Sequence, residues 1–367
     1  MIPLFKVHTL PRGEMGLVVE EVFNSGVLAE GEYVQRFEQE LAKFLEVPAE
    51  RVVVVNSCTS ALALADYLTN RDASVVSSPM TCFATNAPFR TAGREMVWAD
   101  VDPTTGNIDP ESVSRLCRRL GELQCILAVH WGGCPFDFDA VVEAAPEVPI
   151  VADAAHALGA HYKGRPIAEC GDYVVFSFQA IKHLTCGDGG ALVVKTAEEA
   201  ARARRLRWFG LDRTIQGPSR WAQDIPEAGF KFNMNNISAA IGLAQLPYVP
   251  WILEAHRRNA RFYDRGIENS PKVTKLRREP NVESSCWVYS LLVDDPKAFR
   301  AHMDAAGVAT DCVHVRNDIY SCFPKQREPL PGVAAFSDHL MNIPVGWWVK
   351  QPDVRCIIDA VNEYGRC

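Results

Sequence analysis

No stretch of this 367-residue chain approaches the roughly 18 consecutive apolar residues that mark a membrane helix. The opening run from Met1 to Leu10 is too short and too polar to read as a signal peptide. The expectation is therefore a cytoplasmic protein with no membrane partner. Basic charge is also scarce. Lys and Arg number 38 against 45 Asp and Glu, for a net charge of −7. That balance lacks the basic stripe a nucleic-acid partner requires. Arg202, Arg204, Arg205 and Arg207 do cluster on one predicted helix, and they read as a solvated face.

Twelve cysteines are present, yet no Cys-x-x-Cys pair and no Cys/His ligand spacing occurs, so no metal site is expected. With no export signal they read as reduced thiols. Cys125, Cys286 and Cys356 lie in apolar segments, where a free cysteine acts as a small buried hydrophobe. There is no internal repeat and no low-complexity linker. No G-x-G-x-x-G follows the first strand-like run, which disfavours a dehydrogenase.

What is present is alternation. Short β-branched runs near 52–55, 74–77, 95–99, 124–129, 148–153 and 173–178 alternate with helical stretches near 59–69, 83–92, 110–119 and 137–144. That pattern predicts an α/β fold with a mostly parallel sheet and helices on both faces. A further strand is predicted from Gly189 to Val194, and a helix pair over 236–246 and 250–267. Beyond about Lys272 the pattern changes to a strand over 287–293, a helix over 296–306 and a final helix over 353–364. This predicts a large domain over 1–250 and a smaller α+β domain over 251–367.

Several of these strands end on groups that carry chemistry. The run Tyr173-Val-Val-Phe-Ser-Phe178 is followed within one short turn by Lys182 and then by Gly187-Asp188-Gly189-Gly190. The ligand edge of an open α/β sheet is the carboxyl end of its strands. A lysine desolvated there can lose its proton and form a Schiff base. Taken alone, Lys182 reads as a surface lysine; Asp153 changes that reading. Val148-Pro-Ile-Val-Ala-Asp153 is a second apolar strand, and it ends on a carboxylate that reads as a helix cap or as the acid beside a pyridine nitrogen. A third strand ends at Asn56, and Ser57, Cys58, Thr59 and Ser60 open the next helix. Free N–H groups and hydroxyls at such a start bind phosphate, although the same residues serve as ordinary caps. Ser177 offers one more hydroxyl. His130, in Ala128-Val-His-Trp-Gly-Gly133, ends another strand on the same rim, as a site residue or a packed loop histidine.

Taken together in order, these blocks resemble the DegT/DnrJ/EryC1/StrS sugar aminotransferases, which are fold-type I pyridoxal-phosphate enzymes. The resemblance rests on Asn24-Ser-Gly26 with Gly31 and Phe37-Glu38, on Asn56-Ser-Cys-Thr-Ser-Ala-Leu62, and on Pro79-Met-Thr81-Cys-Phe83-Ala-Thr85-Asn86. It continues through Asp100-Val-Asp102-Pro103, Asn107-Ile-Asp-Pro110, Asp153-Ala-Ala-His156, Phe176-Ser-Phe178 with Lys182, Gly187-Asp-Gly-Gly190 and Asn235-Asn-Ile-Ser-Ala-Ala240.

The resemblance implies a seven-stranded sheet with the 189–194 strand antiparallel, and pyridoxal 5′-phosphate as cofactor. It makes Lys182 the Schiff-base lysine, Asp153 the partner of the pyridine nitrogen, and His156 the residue beside the ring hydroxyl. Ser177, Thr59 and the Cys58 backbone fall at phosphate-binding positions. Asn236, or Asn235 if the alignment slips by one, would reach the neighbouring subunit's phosphate in a homodimer with shared sites. His130, Trp131 and His314 are the implied substrate contacts, with Phe83 at the cofactor's open face.

Three positions depart from the family pattern. Cys58 replaces a glycine, Phe232-Asn233 replaces Tyr-Arg, and Cys82 stands where an aromatic stacks on the cofactor ring, so that either Phe83 substitutes or the ring packs on something smaller. The implied reaction moves an amino group from glutamate or glutamine to a keto sugar, most simply a nucleotide-linked one. A cyclitol or another non-sugar ketone is an alternative acceptor. A sugar dehydratase would carry histidine in place of Lys182, with His183 as its nearest equivalent. A silent cofactor-binding protein is the reading from another class.

Overall fold

The computed structural model describes residues 1–366 except 12, 70, 216–218, 220, 221, 326 and 327. Its largest sheet has seven strands, in the order Val52–Val55, Gly190–Val194, Tyr173–Ser177, Ile150–Asp153, Leu123–Val129, Ser74–Ser77 and Met96–Trp98. The strand Gly190–Val194 runs antiparallel to both neighbours, and the other neighbouring pairs are parallel. The sequence predicts each of these strands within two residues of its observed ends.

The reason they are strands is visible in how their side chains divide. Val52 and Val54 enter one apolar core, while Val53 and Val55 enter the other. Ile126 and Ala128 part from Cys125 and Leu127 in the same way. A period of two with both faces apolar is what a sheet covered on both sides requires. Helices supply the cover. Glu32–Leu45 and Asn236–Gln245 pack together over the first core, and Cys58–Thr69 and Phe83–Thr91 pack together over the second. Among the described residues no helix is long and apolar enough to cross a membrane.

After the long helix Val249–Gly266 the chain builds a second, antiparallel sheet of Val273–Lys275, Tyr289–Val293 and Leu340–Ile343. It shares a third core with the helices Pro296–Ala305 and Gln351–Arg366.

Two sequence readings are corrected here. Cys356 is exposed on the terminal helix, unlike the buried Cys125 and Cys286. The arginine cluster is not simply a solvated face. Arg207 follows the helix Ala197–Leu206 and is buried, bonded to Glu38 at 2.6 Å, to Glu30 at 2.7 Å and to the Val54 carbonyl at 2.7 Å. A guanidinium this deep is tolerable because carboxylates and a carbonyl replace its water.

Candidate active site

The rim of the large sheet gathers the residues the sequence singled out. Asp153 ends its strand in register with Val129 and Val175 of the two neighbouring strands. Ser177 closes the next strand, and the turn after it brings Lys182 back over the rim, with Lys182 N–H bonded to the Gln179 carbonyl at 2.9 Å. Across the sheet, Ser57 and Cys58 lie directly against Gly190. A Cβ at position 190 would meet the Cys58 nitrogen at 2.5 Å, so only glycine lets the turn and strand approach so closely. The result is a cavity of about 460 Å³ lined by Ser57, Cys58, Thr59, Asp153, His156, Ser177, Lys182 and His314, among others.

Burial sets the electrostatics. Desolvation lowers the Lys182 ammonium to about 8, opposed by the charge of Asp153. Desolvation likewise raises the Asp153 carboxyl, opposed by the N–H of Ala155, the hydroxyl of Thr85 and Lys182. Those two hydrogen bonds are 2.9 and 2.7 Å and occupy one carboxylate oxygen each. His156 and His314 are both held neutral by burial, His314 lowered to about 3 and His156 well below its ordinary value. Their Nε2 atoms lie 3.3 Å apart. His156 also stacks on Trp287 with ring centroids 3.9 Å apart.

Three predicted contacts do not line the cavity, and Asn236, expected at the neighbouring subunit's phosphate, is held inside its own chain. Phe83 is 45 % exposed and meets Tyr320 and Phe323 edge-on. It is the first residue of its helix, whose start turns Cys82, Ala84 and Thr85 toward the cavity and carries Phe83 outward. His130 is fully buried, stacked on Phe136 at 4.3 Å, with its Nδ1 accepting from the Phe136 N–H. It is a packed loop histidine. Trp131 is buried behind His314 and donates to Ser290 Oγ at 3.2 Å. Asn236 is buried within its own chain, donating to the Val27 carbonyl at 2.8 Å and accepting from the Val34 N–H at 3.3 Å. Asn235 is exposed and caps the helix Asn236–Gln245 through the Ser238 N–H.

His183, the alternative to Lys182, is buried edge-on to His256 at 4.7 Å and does not line the cavity. Trp287, Thr85 and Gln179 line it, although the sequence reading gave them no role. Thr85 lies in the run from Pro79 to Asn86 and was recoverable from it. Trp287 arrives from the bend before the strand Tyr289–Val293, and nothing local in the sequence marks it.

One atom tests which group belongs here. His156 Nδ1 is buried with no hydrogen-bond partner among the described residues. A ring nitrogen so placed asks for a hydroxyl or oxyanion. A pyridoxal ring offers that hydroxyl, along with a ring nitrogen for Asp153, an aldehyde for Lys182, and a phosphate for Ser57, the Cys58 and Thr59 turn and Ser177. The residues fit the group, and they define the class as pyridoxal-phosphate-dependent transferases.

The chain belongs to the DegT/DnrJ/EryC1/StrS aminotransferase family, whose model matches residues 12–362. Enzymes of this family use pyridoxal 5′-phosphate. The chain is similar to AtS13 from Actinomadura melliaura, with 40% identity, a TM-score of 0.93, and coverage of 99% of this chain and 98% of that one. It is similar to the sugar aminotransferase CalS13 from Micromonospora echinospora, with 34% identity, a TM-score of 0.93, and coverage of 99% and 100%. It is 29% identical over 271 residues to a UDP-4-amino-4,6-dideoxy-N-acetyl-beta-L-altrosamine transaminase from Campylobacter jejuni, covering 73% of this chain and 70% of that protein.

Proposed function

We propose that the protein transfers an amino group from glutamate or glutamine to a keto sugar, carried on a nucleotide, and releases an amino sugar. The observation that carries this reading is the pairing of a low-pKa Lys182 with a buried, hydrogen-bonded Asp153 in one cavity. Similarity to a sugar aminotransferase and to a UDP-sugar transaminase supports the acceptor class.

When bound, pyridoxal phosphate supplies an electron sink for the carbon that loses its proton. Asp153 holds the proton on the ring nitrogen, and its two hydrogen bonds oppose the upward push of burial on the carboxyl. Lys182 Nζ, with a pKa near working pH, takes the proton from the donor's carbon and gives it back in the reverse direction. His156 Nδ1 holds the ring hydroxyl in place. Ser57, Thr59, Ser177 and the Cys58 N–H anchor the phosphate at the helix start. Trp287, Leu62 and Val129 keep water from the far wall.

Thr59 is exposed at the phosphate end of the cavity. This supports a homodimer in which the partner completes that end. Since Asn236 is held within its own chain, exposed Asn235 becomes the partner-facing candidate. The same reading divides the chain into a cofactor domain over 1–250 and a smaller domain over 251–367, and places the protein in the cytoplasm. The test is an absorbance spectrum of the cofactor-loaded protein. Its visible band should fall on adding glutamate or glutamine and return on adding a nucleotide-linked keto sugar. A band unmoved by any amino acid contradicts the proposal.

A further inference from the structure

The loop that follows Thr310 carries two residues with different targets. His314 lines the cavity, while Asn317 is fully buried and bonded to the large-sheet side of the protein. Asn317 N–H donates to the Pro79 carbonyl at 2.7 Å, and its Nδ2 donates to the Thr81 carbonyl at 2.9 Å. Its Oδ1 accepts from Asn86 Nδ2 at 3.0 Å. A second Nδ2 contact, at 3.2 Å to the Val315 carbonyl, fixes the loop to itself. Asn86 is held in turn by Ser77 Oγ at 2.7 Å and by the Ser78 carbonyl at 3.1 Å. Both polar atoms of the Asn317 carboxamide are therefore used, and its Nδ2 together with the Asn317 backbone N–H grips the turn that carries Thr81.

That turn leads to the cofactor site. Thr81 Oγ1 lies 3.0 Å from Thr85 Oγ1, and Thr85 Oγ1 donates to Asp153 Oδ2 at 2.7 Å. A threonine hydroxyl has one proton. Thr85 spends its proton on the carboxylate, so Thr81 must be the donor within the pair. Both hydroxyl protons thus point toward Asp153, which is the arrangement that favours its charged form.

We propose that Asn317 is a positioning residue: by clamping the turn that carries Thr81, it aligns a two-hydroxyl relay onto Asp153. It thereby ties the loop bearing His314 to the carboxylate that faces the cofactor ring. This inference rests on the reading of Asp153 as partner of the ring nitrogen. A clamp with only a structural role would stabilise the loop without any link to Thr85.

The experiment is a double-mutant cycle read as the dissociation constant for pyridoxal phosphate, titrated into cofactor-free protein. Asn317→Ala and Thr85→Val should each weaken binding about tenfold, the scale of one hydrogen bond to a charged group. Because both variants break one relay, the double variant should be weaker by about the same tenfold. Thr85→Ser should restore wild-type affinity. Losses that multiply to about a hundredfold would overturn the relay, since independent sites add in free energy. Should Asn317→Ala fail to fold, Asn317→Ser carries the same cycle. Unchanged affinity in Asp153→Asn would overturn the reading beneath the relay. A loss in Asp153→Asn together with multiplying losses in the cycle would overturn the relay alone.

Discussion

Lys182 Nζ lies 3.8 Å from the ring centroid of Trp287, and the indole N–H of Trp287 donates to the carbonyl of Ile181, the residue before the lysine. One tryptophan from the bend before the strand Tyr289–Val293 therefore holds both the charge and the backbone of the Lys182 turn. Its ring is also packed against Phe5 of the N-terminal segment at 5.1 Å. Trp287→Ala should cost about 3–5 kcal/mol of stability, as removal of a buried aromatic does. It should also raise the Lys182 pKa, because burial is the main cause of the depression and a cavity beside Nζ admits water. Urea denaturation reads the first effect. The pH profile of cofactor capture reads the second, and a profile unchanged from wild type would show that Trp287 does not shield the lysine.

The amine of Lys182 must be unprotonated to react. Capture of pyridoxal phosphate by cofactor-free protein should therefore speed up as pH rises and level off above about 8. An ordinary lysine would keep gaining up to about pH 10.4. Asp153 raises the Lys182 pKa, so Asp153→Asn should move the plateau to lower pH. Stopped-flow absorbance across the pH range measures both. A shift to higher pH in Asp153→Asn would contradict the pairing.

His314 lines the cavity and meets His156 at its edge, which gives it a route to the cofactor site through that ring. Both imidazoles are neutral, so one Nε2 donates to the other. If His314 is the donor, the His156 proton is left on Nδ1, where it can serve the ring hydroxylate. His314→Ala should therefore slow the glutamate and keto-sugar half-reactions alike, by about tenfold. His314→Gln, which keeps a donor, should recover part of the loss. Single-turnover measurement of each half decides it, and a loss confined to the sugar half would return His314 to substrate recognition.

Much of the fold was legible because each central strand is a short β-branched run buried on both faces. Lys182, Asp153 and Ser177 were legible because they stand at or just beyond the ends of such runs. His130 and Trp131 stand there too, yet the chain turns at once into Trp131–Gly133, with positive φ at Gly132 and Gly133, and buries both rings. Phe83 failed on helical phase, since its neighbour Cys82 takes the cavity side. Trp287 and Asn317 were out of reach because their contacts join segments more than 100 residues apart.

Asn236 pins the segment that leads into the helix Glu32–Leu45. Its amide bonds Val27 and Val34, and a Cβ on Gly31 would meet its Nδ2 at 2.7 Å. Asn236→Ala removes the donor to the Val27 carbonyl and leaves the Val34 N–H only its bond to the Gly31 carbonyl, and should cost about 1–3 kcal/mol. Cofactor affinity should change little. Affinity lost in Asn236→Ala but restored by mixing with Lys182→Ala subunits would instead place Asn236 at the partner's site.

Amine transfer through Lys182 is the centre of the account. The direct measurement incubates cofactor-loaded protein with nitrogen-labelled glutamate or glutamine and a panel of nucleotide-linked keto sugars, and follows the products by mass. The wild-type protein should convert at least one keto sugar to the labelled amine, and Lys182→Ala should convert none while remaining folded. Labelled amino sugar formed by Lys182→Ala at a comparable rate, or none formed by the wild type from any keto sugar, would contradict it.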